Sequence, residues 1–144
     1  MTDADSVRAW AALLRVHAAV VPALERRLTA FGLPLAWYDV LLELNSAPGH
    51  RLTMSELGAR AVLSRERVSR VVSELERAGL ARRDPNPDDG RSSFATITTE
   101  GRRRLRAAAP VYLAGIEECF GAHLAGTEAR AVTRALERVL AAGS

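Results

Sequence analysis

Apolar residues recur at intervals of three and four along residues 5–31, which predicts a long amphipathic helix. The stripe consists of Val7, Trp10, Leu14, Val21, Leu24, Leu28 and Phe31, with His17 in the remaining position. Pro22 lies inside the pattern and is expected to kink the helix, because proline removes a backbone donor. Gly32 and Pro34 predict its end.

Two shorter helices are predicted next. Residues 35–46 form one whose inward side chains are Trp37, Val40, Leu41 and Leu44. The turn "APGHR" follows, and a helix of about two turns then begins at Thr53. Glu56, three residues later, completes a capping box with Thr53, and Leu57 is expected to be buried.

A fourth helix is predicted over residues 64–78, with Ser64 as the N-cap and Gly79 just after its end. Its inner face at helical spacing consists of Val68, Val71, Val72 and Leu75. Several polar side chains fall largely on the opposite face, namely Arg67, Arg70, Ser73, Glu74 and Arg77. This helix therefore presents an arginine-rich surface.

The pattern changes to strands over residues 80–98. The stretches "LARRD" and "SFATIT" flank the turn-forming sequence "PNPDDG", which predicts a two-stranded hairpin. Thr98 or Thr99 caps a helix that is predicted to reach residue 124, with a kink near Pro110. Gly126 breaks it, and Thr127 caps a last helix whose apolar face is Val132, Leu136, Val139 and Leu140.

Length and composition favour a single globular unit without a disulfide framework. The chain has 144 residues, 48% of them hydrophobic, and one cysteine, Cys119. No uninterrupted apolar run approaches the roughly 20 residues of a membrane span, so no membrane partner is expected. The polar, acidic start is unlike a secretory signal, and the cytoplasm is the simplest compartment.

Charge is concentrated in the middle of the chain. All 20 basic side chains are arginine, and residues 60–106 hold 12 of them against 7 acids, whereas the rest of the chain holds 8 against 10. A basic middle between nearly neutral ends indicates a polyanionic partner.

The order of short helix, tight link "RAVLS", arginine-rich helix and hairpin is that of a helix-turn-helix followed by a β-wing. A major groove about 12 Å wide admits one helix, whose N-terminal residues reach the base edges. The predicted contacts to double-stranded DNA are Ser55, Ser64, Arg65, Glu66, Arg67, Ser69, Arg70 and, from the wing, Arg91. Without that context, a solvated helix face is the better interpretation of these arginines.

The wing carries acids that look unsuited to DNA. We hypothesise that Asp89 forms a salt bridge with an arginine such as Arg83 and so supports the wing, while Arg91 enters the minor groove.

These features resemble the winged helix-turn-helix core of the MarR (multiple antibiotic resistance regulator) family. The similarity covers residues 52–101 through "LTMSELG", "LS…VSRVVSELERAGL", a wing ending Asp89-x-Arg91 and "ITTEG". The flanking helices agree in number and order. The family wing often reads Asp-Arg-Arg, so Gly90 replaces one wing cation here.

The resemblance implies a single MarR-like domain over residues 1–144, mainly α-helical with a small β-wing. Its winged lobe would span about 35–104, and helices at about 5–31 and 105–142 would interlock in an obligate homodimer. Such regulators bind near-palindromic operators, many as repressors released by small aromatic or phenolic ligands. An arginine-rich helix reads few base pairs, so two half-sites about one turn apart are also expected physically.

Several residues have competing interpretations. An effector pocket of Trp10, His17, Trp37 and Tyr38 is possible, although core or interface roles are commoner for such residues. Cys119 and His123 are spaced to share a helix face, but two ligands do not make a zinc site, and neither metal nor cofactor is expected. The alternatives to an operator-binding regulator are a dimeric protein-interaction module and a thiol-based redox regulator acting through Cys119. The sequence contains no enzyme motif such as HExxH or GxSxG.

Overall fold

The computed structural model describes residues 3–61 and 63–143, and within them it confirms a mainly helical fold with a small β-wing. The elements are α1 (Ala4–Phe31), α2 (Leu35–Ser46), β1 (Arg51–Thr53), α3 (Met54–Ala61), α4 (Arg65–Arg77), β2 (Ala81–Pro85), β3 (Ser93–Ile97), α5 (Thr99–Cys119) and α6 (Gly126–Ala142). Single 3-10 turns lie at Pro48–His50 and Gly121–His123. Val62, in the predicted link between α3 and α4, lies outside the described residues.

The wing belongs to an antiparallel sheet of three strands in the order β1-β3-β2. The predicted two-stranded hairpin was therefore incomplete, because β1 was interpreted as part of a turn. In the central register, Leu52 pairs with Ala95, and Ala95 pairs with Arg83. Strand β1, which pairs with β3 and leads directly into α3, attaches the hairpin beside the start of that helix. This attachment determines where the wing begins.

The chain divides into two compact units, of which one comprises residues Leu28–Pro110. Its core joins α2, α3, α4 and the sheet through buried side chains that include Val40, Leu41, Leu44, Leu57, Val68, Val72, Leu75 and Ile97. Trp37 is only half-buried, whereas the neighbouring Tyr38 is buried. The predicted inner face of α4 is confirmed. Because that face packs into the core, the opposite, arginine-bearing face of the helix is directed toward solvent.

Predicted caps define the ends of the short helices. The backbone N–H of Glu56 donates to Thr53 Oγ1 at 3.2 Å, so the predicted hydroxyl cap of α3 is formed. The predicted capping box is only half formed, because Glu56 Oε1 accepts the Thr53 hydroxyl at 2.8 Å instead of the Thr53 backbone N–H. At the end of α4, Gly79 has a φ of 78°, a left-handed conformation that glycine adopts without steric cost.

The other unit comprises the residues up to Arg27 and those from Val111. Within it, α1 and α5 approach closely where α5 has Gly115, because a Cβ there would lie 2.7 Å from Leu24 Cδ2. Nearby, Arg27 Nη2 pairs with Glu118 Oε2 at 2.7 Å.

Most of the predicted apolar stripe of α1 is exposed in the isolated chain. Leu24 and Leu28 are buried, but Val7 and Trp10 are exposed, Trp10 to 60%. The predicted apolar face of α6 is also exposed, with Val139 at 68%.

Three details of the C-terminal region were predicted wrongly. Helix α5 ends at Cys119 rather than near residue 124, so Cys119 and His123 do not share a helix face. Helix α6 begins at Gly126, and Thr127 is not its cap. Instead, Glu128 Oε1 accepts the backbone N–H of Ala125 at 2.8 Å. A carboxylate in the first turn thus replaces the predicted hydroxyl cap.

Helix α1 is long and apolar enough to cross a membrane by length and composition, with a mean hydropathy of 1.4 in its most apolar part. A single helix that passes this test is weak evidence of a membrane span, so the expectation of no membrane partner stays a prediction. The expectation considered uninterrupted apolar runs, and Arg15 and His17 interrupt the run without lowering the average much.

Candidate nucleic-acid interface

The start of α4 is built by a side-chain cap. Ser64 Oγ accepts the backbone N–H of Arg67 at 3.2 Å, and Ser64 itself has extended backbone angles. This satisfies one of the free N–H groups of the first turn. Ser64 and the five α4 residues predicted to contact DNA are all exposed, the latter being Arg65, Glu66, Arg67, Ser69 and Arg70. The cap therefore fixes where this exposed surface begins.

The exposed residues of α4 divide into three rows at helical spacing. Arg65 and Ser69 lie one turn apart on the side of the wing, and Glu66 and Arg70 form the central row. Arg67 lies on the side of α2, close enough to Asp39 to interact electrostatically with it. The predicted contact residues therefore point in different directions, although all are exposed.

A cavity of about 530 Å³ lies between α3, α4 and the wing. It is lined by Met54, Ser55, Gly58, Ala59, Leu63, Arg65, Val68, Ser69, Arg83, Arg91, Ser92 and Ser93. Four of the predicted DNA contacts, Ser55, Arg65, Ser69 and Arg91, thus share one concave surface. Ser92 and Ser93 also line this cavity but were not predicted as contacts. The one feature of the sequence that indicates them is their position directly after the wing turn and Arg91.

The tip of the wing is ordered by its own acids and amides. The backbone N–H of Asp88 donates to Asn86 Oδ1 at 3.0 Å, and that of Arg91 donates to Asp89 Oδ1 at 3.0 Å. Asn86 Nδ2 also donates to Ser92 Oγ at 2.9 Å. These side chains hydrogen-bond to nearby backbone as turn formers do, so Asp89 shapes the wing beside the arginine.

The hypothesised salt bridge between Asp89 and Arg83 is wrong. Arg83 points instead toward α4, where its Nη2 lies 2.7 Å from Ser69 O, 3.1 Å from Ser69 Oγ and 3.1 Å from Ser73 Oγ. The backbone N–H of Arg83 donates to Glu76 Oε2 at 3.1 Å. Arg83 therefore connects β2 to α4, and Asp89 supports the wing through Arg91.

On the side of α2, Asp39 has a perturbed carboxyl group. Burial raises its pKa to about 6, the neighbouring charge of Glu43 also raises it, and the charge of Arg67 opposes the shift. This perturbed carboxyl was not predicted, because it depends on burial and on Arg67, which belongs to another helix. Trp37 strengthens the same helix contact, since its Nε1 donates to Glu74 Oε2 at 3.1 Å.

The four residues of the predicted effector pocket are divided between the two units. Trp10 and His17 belong to the unit that ends at Arg27, and both are exposed. Trp37 and Tyr38 belong to the other unit, where the Trp37 hydrogen bond and the burial of Tyr38 agree with core roles. The pocket stays a prediction.

The arginines at the start of α5 have local partners. Arg103 pairs with Glu100, and Arg104 Nη2 donates to Gly32 O at 2.9 Å. These partners lie within the chain, so the positions of both arginines are explained without a DNA contact. In the described ranges 3–61 and 63–143 there is no group of three metal-ligating side chains.

A capped, arginine-bearing helix beside a wing defines a winged helix-turn-helix DNA-binding protein. A model of the MarR family matches residues 31–92. The HTH-type transcriptional repressor Rv2887 of Mycobacterium tuberculosis is 32% identical over 127 residues, covering 88% of this chain and 89% of the relative. The chain belongs to the MarR family of transcriptional regulators, which are DNA-binding proteins and not enzymes.

Solved structures of the same family agree over nearly the whole chain. AbsC from Streptomyces coelicolor has a TM-score of 0.86 at 29% identity, covering 97% of this chain and 95% of that one. Sco3205 from the same organism, solved in complex with DNA, has a TM-score of 0.87 at 29% identity and covers 99% and 90%.

Proposed function

We propose that this chain is a homodimeric transcriptional repressor that binds a near-palindromic operator through α4 and the wing. The observation that carries the proposal is that Ser55, Arg65, Ser69 and Arg91 line one concave surface at the start of α3, the start of α4 and the wing. Arginine and serine there supply donors to base edges and phosphates. The mycobacterial relative is named a repressor, which supports that direction of regulation.

Dimerisation is supported by the apolar side chains that the isolated chain leaves exposed. Large apolar side chains are exposed in a row on α1 (Val7, Trp10 and Leu14) and side by side on α6 (Val139 and Leu140), and exposed apolar patches of this kind mark interaction surfaces. A second copy of the chain would cover them and place two recognition helices on successive half-sites.

Binding by a small aromatic or phenolic effector remains part of the proposal. Such a ligand releases the operator only if it binds the non-DNA state more tightly, because a ligand with equal affinity for both states shifts nothing. Since the protein acts on DNA, the cytoplasm is its proposed compartment. The test is to add phenols and aromatic carboxylates to the protein–operator complex and to measure release.

The DNA-binding proposal is tested by fluorescence anisotropy with duplexes that tile the region upstream of the gene, at two salt concentrations. Arg65→Ala is compared with Arg138→Ala, which removes the same charge from exposed α6. We expect one duplex to bind tightly, Arg65→Ala to weaken it, and Arg138→Ala to leave it unchanged. Equally weak binding of every duplex would favour the protein-interaction module.

The dimer proposal is tested by sedimentation of Val139→Arg. A guanidinium in an apolar interface is expected to shift the protein to monomer, because its charge loses solvation there. Ala141→Arg is the matched control, since it lies two residues further on and about 200° around the helix. Equal dimerisation of both variants would contradict this interface.

A further inference from the structure

We propose that Arg83 is a specificity-determining positioning residue. It fixes the hydroxyl of Ser69 as a hydrogen-bond donor, so that Ser69 selects an acceptor atom on DNA. The inference rests on the proposed function, because it assigns a chemical role to one residue of the proposed DNA-binding surface.

The direction of the Arg83–Ser69 hydrogen bond follows from chemistry. A guanidinium has donors and no acceptor, so Ser69 Oγ, 3.1 Å from Arg83 Nη2, must accept. The proton of the Ser69 hydroxyl therefore points away from Arg83. Because the same Nη2 also lies 2.7 Å from the backbone oxygen of Ser69, the contact restrains both parts of this residue.

The Ser69 proton has no acceptor within residues 3–61 and 63–143. Helical serines often donate to the carbonyl four residues earlier, as Ser46 does to Leu42 O at 2.9 Å. Ser69 does not make that bond. Its side chain is exposed and lines the cavity between α3, α4 and the wing, so the proton is available to a group that enters from outside.

The guanidinium also biases what Ser69 can recognise. A cation on the oxygen strengthens the O–H as a donor and weakens the remaining lone pair as an acceptor. The matching DNA atoms are guanine N7 and O6, adenine N7, thymine O4 and phosphate oxygens. The amino groups of cytosine and adenine are donors, and they would face an oxygen already engaged by Arg83. In the major groove cytosine presents only its amino group, so this base is disfavoured most.

Fold stability alone does not account for the placement of Arg83. Its Nε is buried without a hydrogen-bond partner in the described parts of the chain, which is an unfavourable arrangement. The strand is held to α4 independently, because the backbone N–H of Arg83 donates to Glu76 Oε2. A variant that loses only the side chain therefore keeps one attachment between β2 and α4.

The test is selection from a randomised duplex library with wild type, Ser69→Ala, Arg83→Met, Arg83→Lys and Arg82→Met. Arg82 is the control, because it lies next to Arg83 on β2, on the opposite face of the sheet, and pairs with Asp84 at 3.1 Å. Arg82→Met thus removes the same charge without touching Ser69. Thermal unfolding of each variant identifies any that fails to fold.

Wild type and Arg82→Met are expected to select the same motif, with cytosine excluded at one position of each half-site. Ser69→Ala and Arg83→Met should lose that preference and retain the rest of the motif, and Arg83→Lys should restore it in part because lysine is also a pure donor. If Arg83→Met fails to fold, Arg83→Gln takes its place, because an amide can accept as well as donate and no longer fixes the direction of the Ser69 hydroxyl.

Replacing single phosphates by methylphosphonates distinguishes the source of the acceptor. If one such replacement weakens wild type but not Ser69→Ala, the acceptor is a phosphate oxygen, which carries no sequence information, and the specificity role of Arg83 is overturned. Identical motifs and identical phosphate sensitivity in wild type, Ser69→Ala and Arg83→Met would overturn the inference. If wild type enriched no motif at all, the proposed function itself would fail, which is a different result.

Discussion

The carboxylate of Asp89 accepts the backbone N–H of Arg91 at 3.0 Å, so the acid beside the wing arginine holds the turn that presents it. Within the described ranges, the guanidinium of Arg91 has no hydrogen bond or ion pair. The two roles of Asp89, turn former and negative charge, can therefore be separated. Asp89→Asn keeps the accepting oxygen and removes the charge, whereas Asp89→Ala removes both.

We expect Asp89→Ala to weaken DNA binding by about 1 kcal/mol, roughly fivefold, because the wing turn loses one hydrogen bond. Asp89→Asn should bind as tightly as wild type or more tightly, since a charge that repels phosphate is gone. Fluorescence anisotropy on the selected operator measures both. Equal weakening by the two variants would show that the charge matters and the turn does not.

Gly90 offers room for the cation that related wings often carry. A Cβ at this position would meet no heavy atom within 4 Å, and Gly90 is not among the glycines with positive φ. Gly90→Arg is therefore expected to fold normally and to bind DNA more tightly at low salt. If the new arginine contacts one phosphate, the log–log salt slope should steepen by about 0.9.

Gly90→Gln is the matched control for that variant, because it adds a polar side chain without a charge. Its salt slope should equal that of wild type. An unchanged slope for Gly90→Arg would indicate that this part of the wing lies away from the phosphates.

Local patterns predicted the elements of this fold well. The spacing of Val68, Val71 and Leu75 identified the buried face of α4, and Ser64 and Gly79 marked its ends. These predictions succeeded because helical spacing and capping depend only on residues that are close together in the sequence. The strand β1 was missed because three residues are too few for an alternating pattern. Thr53 also belongs to the predicted capping box, which favoured a turn followed directly by a helix.

The partners of site residues could not be predicted in the same way. Arg83 contacts Ser69, 14 residues away, rather than Asp89, six residues away, and only the packing of β2 on α4 decides between them. The perturbed carboxyl of Asp39 likewise depends on burial and on Arg67, 28 residues later in the chain. Such contacts carry no periodic signal in the sequence.

Stability should depend on pH through Asp39. Its folded pKa of about 6 exceeds the usual value for an unfolded chain, about 3.9. Between these values the folded protein holds a proton that the unfolded chain has lost, so stability falls as pH rises from about 4 to 6. Above about pH 6 the carboxyl is ionised in both states, and its burial in the folded protein lowers the free energy of unfolding.

Asp39→Asn removes this cost, and we expect it to be more stable than wild type at pH 7.5. Because the group is partly solvated, the gain should be only about 1 kcal/mol. Urea unfolding at pH 4 and pH 7.5 measures it, with the two proteins converging at the lower pH. The same gain at both pH values would mean that shape or hydrogen bonding, rather than ionisation, is responsible.

Ser64 combines two roles that one pair of substitutions separates. Its oxygen caps α4 by accepting the N–H of Arg67, and its exposed position at the helix N-terminus suits a phosphate. Ser64→Ala is expected to cost about 1 kcal/mol of stability through loss of the cap. Ser64→Asp retains a capping oxygen and favours the helix dipole, so its stability should match or exceed that of wild type.

DNA binding by Ser64→Asp should nevertheless be weaker than that of Ser64→Ala, because a carboxylate at this end of α4 repels the phosphate that the free N–H groups attract. Thermal unfolding ranks the variants by cap strength, and anisotropy at two salt concentrations ranks them by charge. The order of Ser64→Ala and Ser64→Asp should therefore reverse between the two measurements. If the aspartate variant were more stable and also bound DNA as well as wild type, the N-terminus of α4 would lie away from the phosphates, and base contact would depend on Arg65 and Arg70 further along the helix.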